Sequence, residues 1–245
     1  MSGHSKWATI KHAKGAADAK RGQMFTKLIK EISIAARMGG GSLDGNPRLR
    51  TAILKARVAN MPKDNIDRAI KKGTGELEGV NYEELVYEAY LGGVAIFIEV
   101  LTDNKNRAAA EIRNILTRAG GQLATTGSVS RLFKRLGVIT LDGEKYTEDA
   151  VMEVAIEGGA EDVSASDGII EVTTAPEDFE NVLNALTAKE FETMSAQVSM
   201  VAEAEVTLDN DGTAKALKLI DKLEENDDVQ NVYCNIAIPE GFVAS

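Results

Sequence analysis

Cysteine is almost absent from this 245-residue chain: Cys234 stands alone, so no internal disulfide and no multi-cysteine zinc site can form. Histidine is nearly as scarce. His4 and His12, far in sequence from Cys234, do not make a metal-ligand set. No run of eighteen apolar residues occurs, which excludes a membrane-spanning helix, and the N-terminus lacks the apolar block of a secretory signal. The expectation is therefore a cytoplasmic protein with no membrane partner. Glycine-rich stretches are present, but none reads G-x-x-x-x-G-K-[ST]. "GTGELEG" lacks the dinucleotide-binding spacing and "GGQLATTG" reads as a turn. No cofactor is expected.

What the chain does have is a lopsided charge. Its overall net charge is −10, yet residues 1–75 carry sixteen Lys or Arg against five Asp or Glu, a net +11. Residues 105–135 carry a further net +6, and residues 136–245 hold twenty-five acids against five bases, a net −20. Salt at physiological strength screens exposed charges over about 8 Å, while a compact 75-residue lobe has a radius of gyration of roughly 11 Å. A partner touching the first lobe feels mainly that lobe. A positive field of this size with little acid to balance it points to a polyanion, and lysines and arginines without a base-reading constellation point to phosphate-backbone contact.

Periodicity divides the chain. Residues 22–38 place Met24, Phe25, Leu28, Ile29, Ile32, Ala35 and Ala36 on one helical arc, with Lys20, Lys27, Lys30 and Arg37 opposite, before the glycines 39–41. "NPRLRTAILKARVAN" starts a second helix with Asn46 as cap and Pro47 at the first position. "MPKDNIDRAIKKG" repeats the proline start at Pro62 and is expected to stop at Gly73. "GTGELEGVN" reads as a hinge. Beyond it, "LVYEAYL" and "GVAIFIEVL" read as strands, "KNRAAAEIRNILTRAG" as a helix and "SVSRLF" as a third strand. Residues from "GVITL" to "SAQVSMVAEAEV" then read β, α, β, β, α, β, one ferredoxin-like set, and a last helix and strand follow. The predicted fold class is α+β: a basic helical domain (1–76) followed by two ferredoxin-like α/β sandwich domains, one discontinuous (77–134 plus 207–245) and the other acidic (135–206) and inserted in it.

The strings "GHSKWATIKHAKGAADAKRGQMFTKLIKEI", "NPRLR", "ANMPKDNIDRAIKKG", "TDNKNR" and "GGQLATTGSVSRLF" together resemble the YebC family, with "AEDV" and "AQVSM" continuing the match. The resemblance runs from residue 3 to about residue 238. It implies three domains arranged as above and work on nucleic acid: members are described as probable DNA-binding transcriptional regulators, mitochondrial relatives as translational activators, and some bacterial members as ribosome-associated factors that help through proline-rich stretches. The chain departs from the family pattern twice. "YEAYLGG" is one residue shorter than the usual loop, which predicts a tight turn into Val94, and "VYCN" carries Cys234 where the family commonly has histidine.

The residues expected to touch nucleic acid are Lys6, Lys11, Lys14, Lys20, Arg21, Lys27, Lys30 and Arg37, then Arg48, Arg50, Lys55 and Arg57, and finally Lys105 and Arg107, which flank a helix start capped by Asp103 or Asn104. Arg113, Arg118, Arg131, Lys134 and Arg135 add to that second patch. Trp7, between Lys6 and Lys11, is either a core anchor or a stacking platform for an unpaired base. Carboxylates beyond residue 142 are strewn without a histidine to tune them, so no catalytic group is expected. The reading is a monomeric, non-enzymatic gene-expression regulator that binds duplex DNA or ribosomal RNA, with the ribosome or a basic protein surface as a possible partner of the acidic domain. The alternatives are a small-molecule enzyme in the α/β domains and an acidic protein adaptor.

Overall fold

The computed structural model describes residues 18–239 and residue 242, with side chains from residue 21 onward. It opens on helix α1 (Asp18–Gly39), followed by α2 (Pro47–Val58) and α3 (Lys63–Thr74). Ile32, Ala35 and Ala36 of α1 pack on Leu49, Ala52, Ile53 and Ala56 of α2 and on Ile66 and Ala69 of α3, the i, i+3, i+4 spacing having placed them on facing stripes. Asn46 joins two helix ends at once. Its side-chain oxygen accepts from the Leu49 N–H (3.0 Å), and its amide donates to the carbonyls of Ala35 and Gly40 (both 2.8 Å), closing α1 while starting α2. Gly73 lets α1 and α3 touch: a Cβ there would lie 2.3 Å from the Ser33 carbonyl oxygen.

Both ends of α3 depart from the sequence reading. Pro62 is the cap rather than the first helical residue, and α3 runs through Gly73 to end on the left-handed Gly75. Gly73 serves packing, and Gly75 supplies the positive φ.

The body begins with the antiparallel hairpin β1 (Glu83–Leu91) and β2 (Val94–Thr102). Gly92 (φ 55°) and Gly93 (φ 89°) form the two-residue connection, a turn that needs left-handed backbone at both positions, as the short "YEAYLGG" loop predicts. Helix α4 (Lys105–Ala119) and the short strand β3 (Gln122–Leu123) follow. After the inserted unit come β8 (Val206–Thr207), α7 (Asn210–Glu224), β9 (Val229–Cys234) and β10 (Ile236–Ala237). The first sheet has the order β3-β1-β2-β9. Ala108, Ile112 and Leu116 of α4, with Ala216, Leu219, Ile220 and Leu223 of α7, cover one face of it. On the other face Ala95 and Phe97 pack on Val129 and Phe133, so β2 is buried on both sides, and its sequence is a largely apolar run interrupted by Glu99 rather than an alternation.

"SVSRLF" is not a strand. Ser130–Leu132 make a single 3-10 turn and the strand starts at Phe133. Its short apolar pattern fits either, and the backbone N–H groups that a ladder would need are taken by a side chain, as described below.

The inserted unit comprises β4 (Phe133–Asp142), α5 (Glu148–Glu157), β5 (Ala160–Ser166), β6 (Ile169–Thr174), α6 (Phe179–Ala188) and β7 (Thr193–Ala202). Its sheet order, β5-β6-β4-β7 and antiparallel throughout, is the ferredoxin-like one. Ile139, Leu141, Ile170 and Val172 meet Val151, Ala155, Val182 and Leu186 of the two helices. The two sheets touch through Phe97 and Phe133, whose rings stand 6.1 Å apart and tilted; on its own sheet Phe97 also stands 6.2 Å from Tyr233 of β9.

Candidate nucleic-acid interface

Lys6, Lys11, Lys14, the Lys20 side chain, Trp7, His4 and His12 lie outside the described residues. Of the remaining expected contacts, Arg21, Lys55 and Arg57 are exposed on α1 and α2. Lys55 and the others have partners within the chain.

Lys30 is the clearest correction. The periodicity of α1 puts it on the polar arc, but that arc faces the α/β body instead of solvent. Its ammonium lies 2.7 Å from Asp228 Oδ1, donates to the Asp227 carbonyl (2.8 Å), and sits 5.7 Å from the centre of the Tyr82 ring. Asp228 also accepts from Thr102 Oγ1 (3.0 Å) and Arg107 Nη2 (2.8 Å), and Arg107 bonds Asp103 at 2.7 Å. Burial alone would push the Asp228 carboxyl up, but Lys30 and Arg107 outweigh it and hold it below the usual carboxylate range. Two cations and two carboxylates thus close a node among α1, β2, α4 and the loop before β9. Lys30 and Arg107 use their charge there.

One and two turns before Lys30 in α1, the same face continues the joint. Lys27 donates to the Glu224 carbonyl (2.6 Å) and Gln23 to the Glu225 carbonyl, both at the C-terminal end of α7, where orphan carbonyls and the helix dipole favour a cation. Arg37 donates to Asn81 Oδ1 (3.2 Å) and the Tyr82 carbonyl. Arg48 bridges Glu31 (2.7 Å) and Glu84; burial disfavours its charge, but the two carboxylates more than compensate and raise its affinity for the proton. Arg50 reaches Glu180 of α6 at 3.1 Å, and Lys105 lies 3.8 Å from Glu83. At the start of α4 the cap is Asn104, whose side chain accepts from the Arg107 N–H at 3.0 Å, and not Asp103.

The sequence reading missed other cations. Lys63, Arg68, Lys71 and Lys72 are exposed on α3. Lys215, Lys218 and Lys222 are exposed along one stripe of α7, at i, i+3 and i+7. Their spacing was the available signal, hidden by the acidic average of the C-terminal half. Arg113, Arg118, Arg131 and Arg135 are exposed, whereas Lys134 pairs with Glu203 at 2.7 Å.

Comparison with known proteins fits this geometry. Residues 5–76 match the family model described as the TACO1/YebC protein N-terminal domain, and residues 82–236 match that of the TACO1/YebC second and third domain. A probable transcriptional regulatory protein of Treponema denticola is 69% identical over 243 residues, covering 99% of this chain and 98% of the relative. One from Treponema pallidum is 64% identical over 244 residues, covering 99% and 100%. The crystal structure of a conserved hypothetical protein, Aq1575, from Aquifex aeolicus superimposes with a TM-score of 0.82 at 44% identity, over 93% of this chain and 95% of that one. The chain belongs to the TACO1/YebC family.

Proposed function

We propose that this protein is a non-enzymatic regulator of gene expression that binds the phosphate backbone of nucleic acid through its N-terminal helical lobe. One observation carries the reading: residues 1–75 hold a net +11, and Arg21, Arg57, Lys63, Arg68, Lys71 and Lys72 of this lobe are exposed on its helices. The names of the relatives, probable transcriptional regulatory proteins, support the regulatory part of the reading.

The contacts narrow to Lys6, Lys11, Lys14, Lys20, Arg21 and Arg57, joined by Lys63, Arg68, Lys71 and Lys72 of α3. Lys30 leaves the set because a cation buried against a carboxylate cannot also meet a phosphate. The acidic inserted domain keeps the polymer off the rest of the molecule and orients the lobe. Binding to a DNA duplex and co-sedimentation with ribosomes, measured at matched salt, decide between the two polyanions. About six phosphate contacts on duplex give a log-log salt slope near −5. A flat salt response with both targets would refute the proposal.

A further inference from the structure

Glu88 is a carboxylate turned inward from β1, only 5% exposed, on the sheet face that α4 and α7 do not cover. Among the described residues no lysine or arginine pairs with it. Instead it accepts backbone N–H groups from one loop: Gly127 (2.7 Å) and Ser130 (3.1 Å), with Val129 between them. Burial would raise its pKa, but these donors and the Ser130 hydroxyl outweigh that and keep it ionised, below the usual carboxylate range. Two residues along the same strand face, the Tyr90 hydroxyl donates to the Ser128 carbonyl (3.1 Å), and the Glu88 carbonyl accepts from the Ala124 N–H (2.7 Å). A segment with almost no regular structure of its own is pinned from beneath at five points.

What the pinned loop shows to solvent is polar and positive. Thr125, Thr126 and Gly127 are exposed at its tip, and Arg131 is exposed with its Nε 3.3 Å from the Ser128 carbonyl. Residues 120–135 contain three bases and no acid, and two of the three, Arg131 and Arg135, have no carboxylate partner among the described residues. The buried negative charge of Glu88 is consumed by the loop's own N–H groups. Segments with so little regular structure are ordinarily mobile unless tied down, and rigidity with hydroxyls and guanidinium groups outward suits a phosphodiester backbone.

We propose that the 124–131 loop, with Arg135 beside it, is a second nucleic-acid contact on the α/β body and that Glu88 is its positioning residue. The proposal rests on the nucleic-acid reading above and adds a site to it. Glu88 acts by holding the loop in its bound shape beforehand, so that no ordering entropy is lost on binding.

The test measures binding of the full chain to a short homopolymer RNA and to a short DNA duplex across a salt series. Arg131→Gln with Arg135→Gln, both at exposed positions, weakens binding about tenfold and flattens the salt slope by about 1.4 on single strands. Glu88→Gln weakens binding but leaves the slope unchanged, because the phosphates still become neutralised once the loop orders. It also accelerates amide exchange at Gly127, Val129 and Ser130, and Glu88→Asp recovers part of both effects. If the arginine variant binds as the wild type does, or if exchange accelerates in Glu88→Gln with no change in affinity, this inference is wrong while the N-terminal lobe reading stands. A wild type that binds neither probe overturns both.

Discussion

Lys30 and Asp228 form an ion pair of 2.7 Å in which the two side chains are 8% and 4% exposed. It joins the helical lobe to the α/β body across almost two hundred residues of sequence. A buried pair of this kind contributes little over a well-packed apolar one, but removing one partner strands a charge.

Asp228→Leu therefore lowers unfolding stability by about 3–5 kcal/mol, whereas adding Lys30→Met to it restores most of the loss. Urea unfolding of the two single variants and the double variant measures the coupling. Additive losses would show that the pair does not act as a unit.

Acid sensitivity follows from the same node and from Glu88. Both carboxyls have folded-state pKa values below their ordinary ones, so the stability they contribute is present above the unfolded value, about pH 4, and is lost as pH falls through the depressed values. The wild-type urea midpoint drops over that acid range, and Glu88→Gln shows a shallower drop with a lower plateau at neutral pH. Equal slopes in the two proteins would remove Glu88 from the account.

Gly73→Ala tests the helix contact. The added Cβ would stand 2.3 Å from the Ser33 carbonyl oxygen and 2.8 Å from the Ala36 Cβ, so α1 and α3 must separate. The expected loss is about 1–3 kcal/mol, read by thermal unfolding, although alanine is the better helix former. Gly75, with φ 84° and open space around it, loses stability for a different reason on the same change, backbone strain.

Cys234 stands in β9 opposite Ile96, and burial pushes its thiol up to about 11. Alkylation at pH 8 is expected to be slow in the native protein and fast in denaturant. Rapid native labelling would show an accessible thiolate at the position where the family commonly has histidine.

Much of this architecture is readable from local pattern. The three helices of the lobe, the Asn46 cap, the Gly92-Gly93 turn and the β-α-β-β-α-β order of the insert each rest on residues within a few positions of one another, where spacing and turn chemistry decide the outcome. "SVSRLF" was misread because its fate depends on Glu88, some forty residues earlier, which takes the N–H groups of Val129 and Ser130.

The charge segregation belongs to the sequence alone: summation over residues needs no coordinates, and it points the first lobe toward a polyanion. Which cations remain available was decided by tertiary structure. Lys30 and Arg57 are indistinguishable as exposed-arc residues on amphipathic helices, yet packing turned one toward Asp228 and left the other in water. A helix's polar face is set by its own period, but what that face meets is set by the element packed against it, and in α1 that element is the end of a helix nearly two hundred residues away.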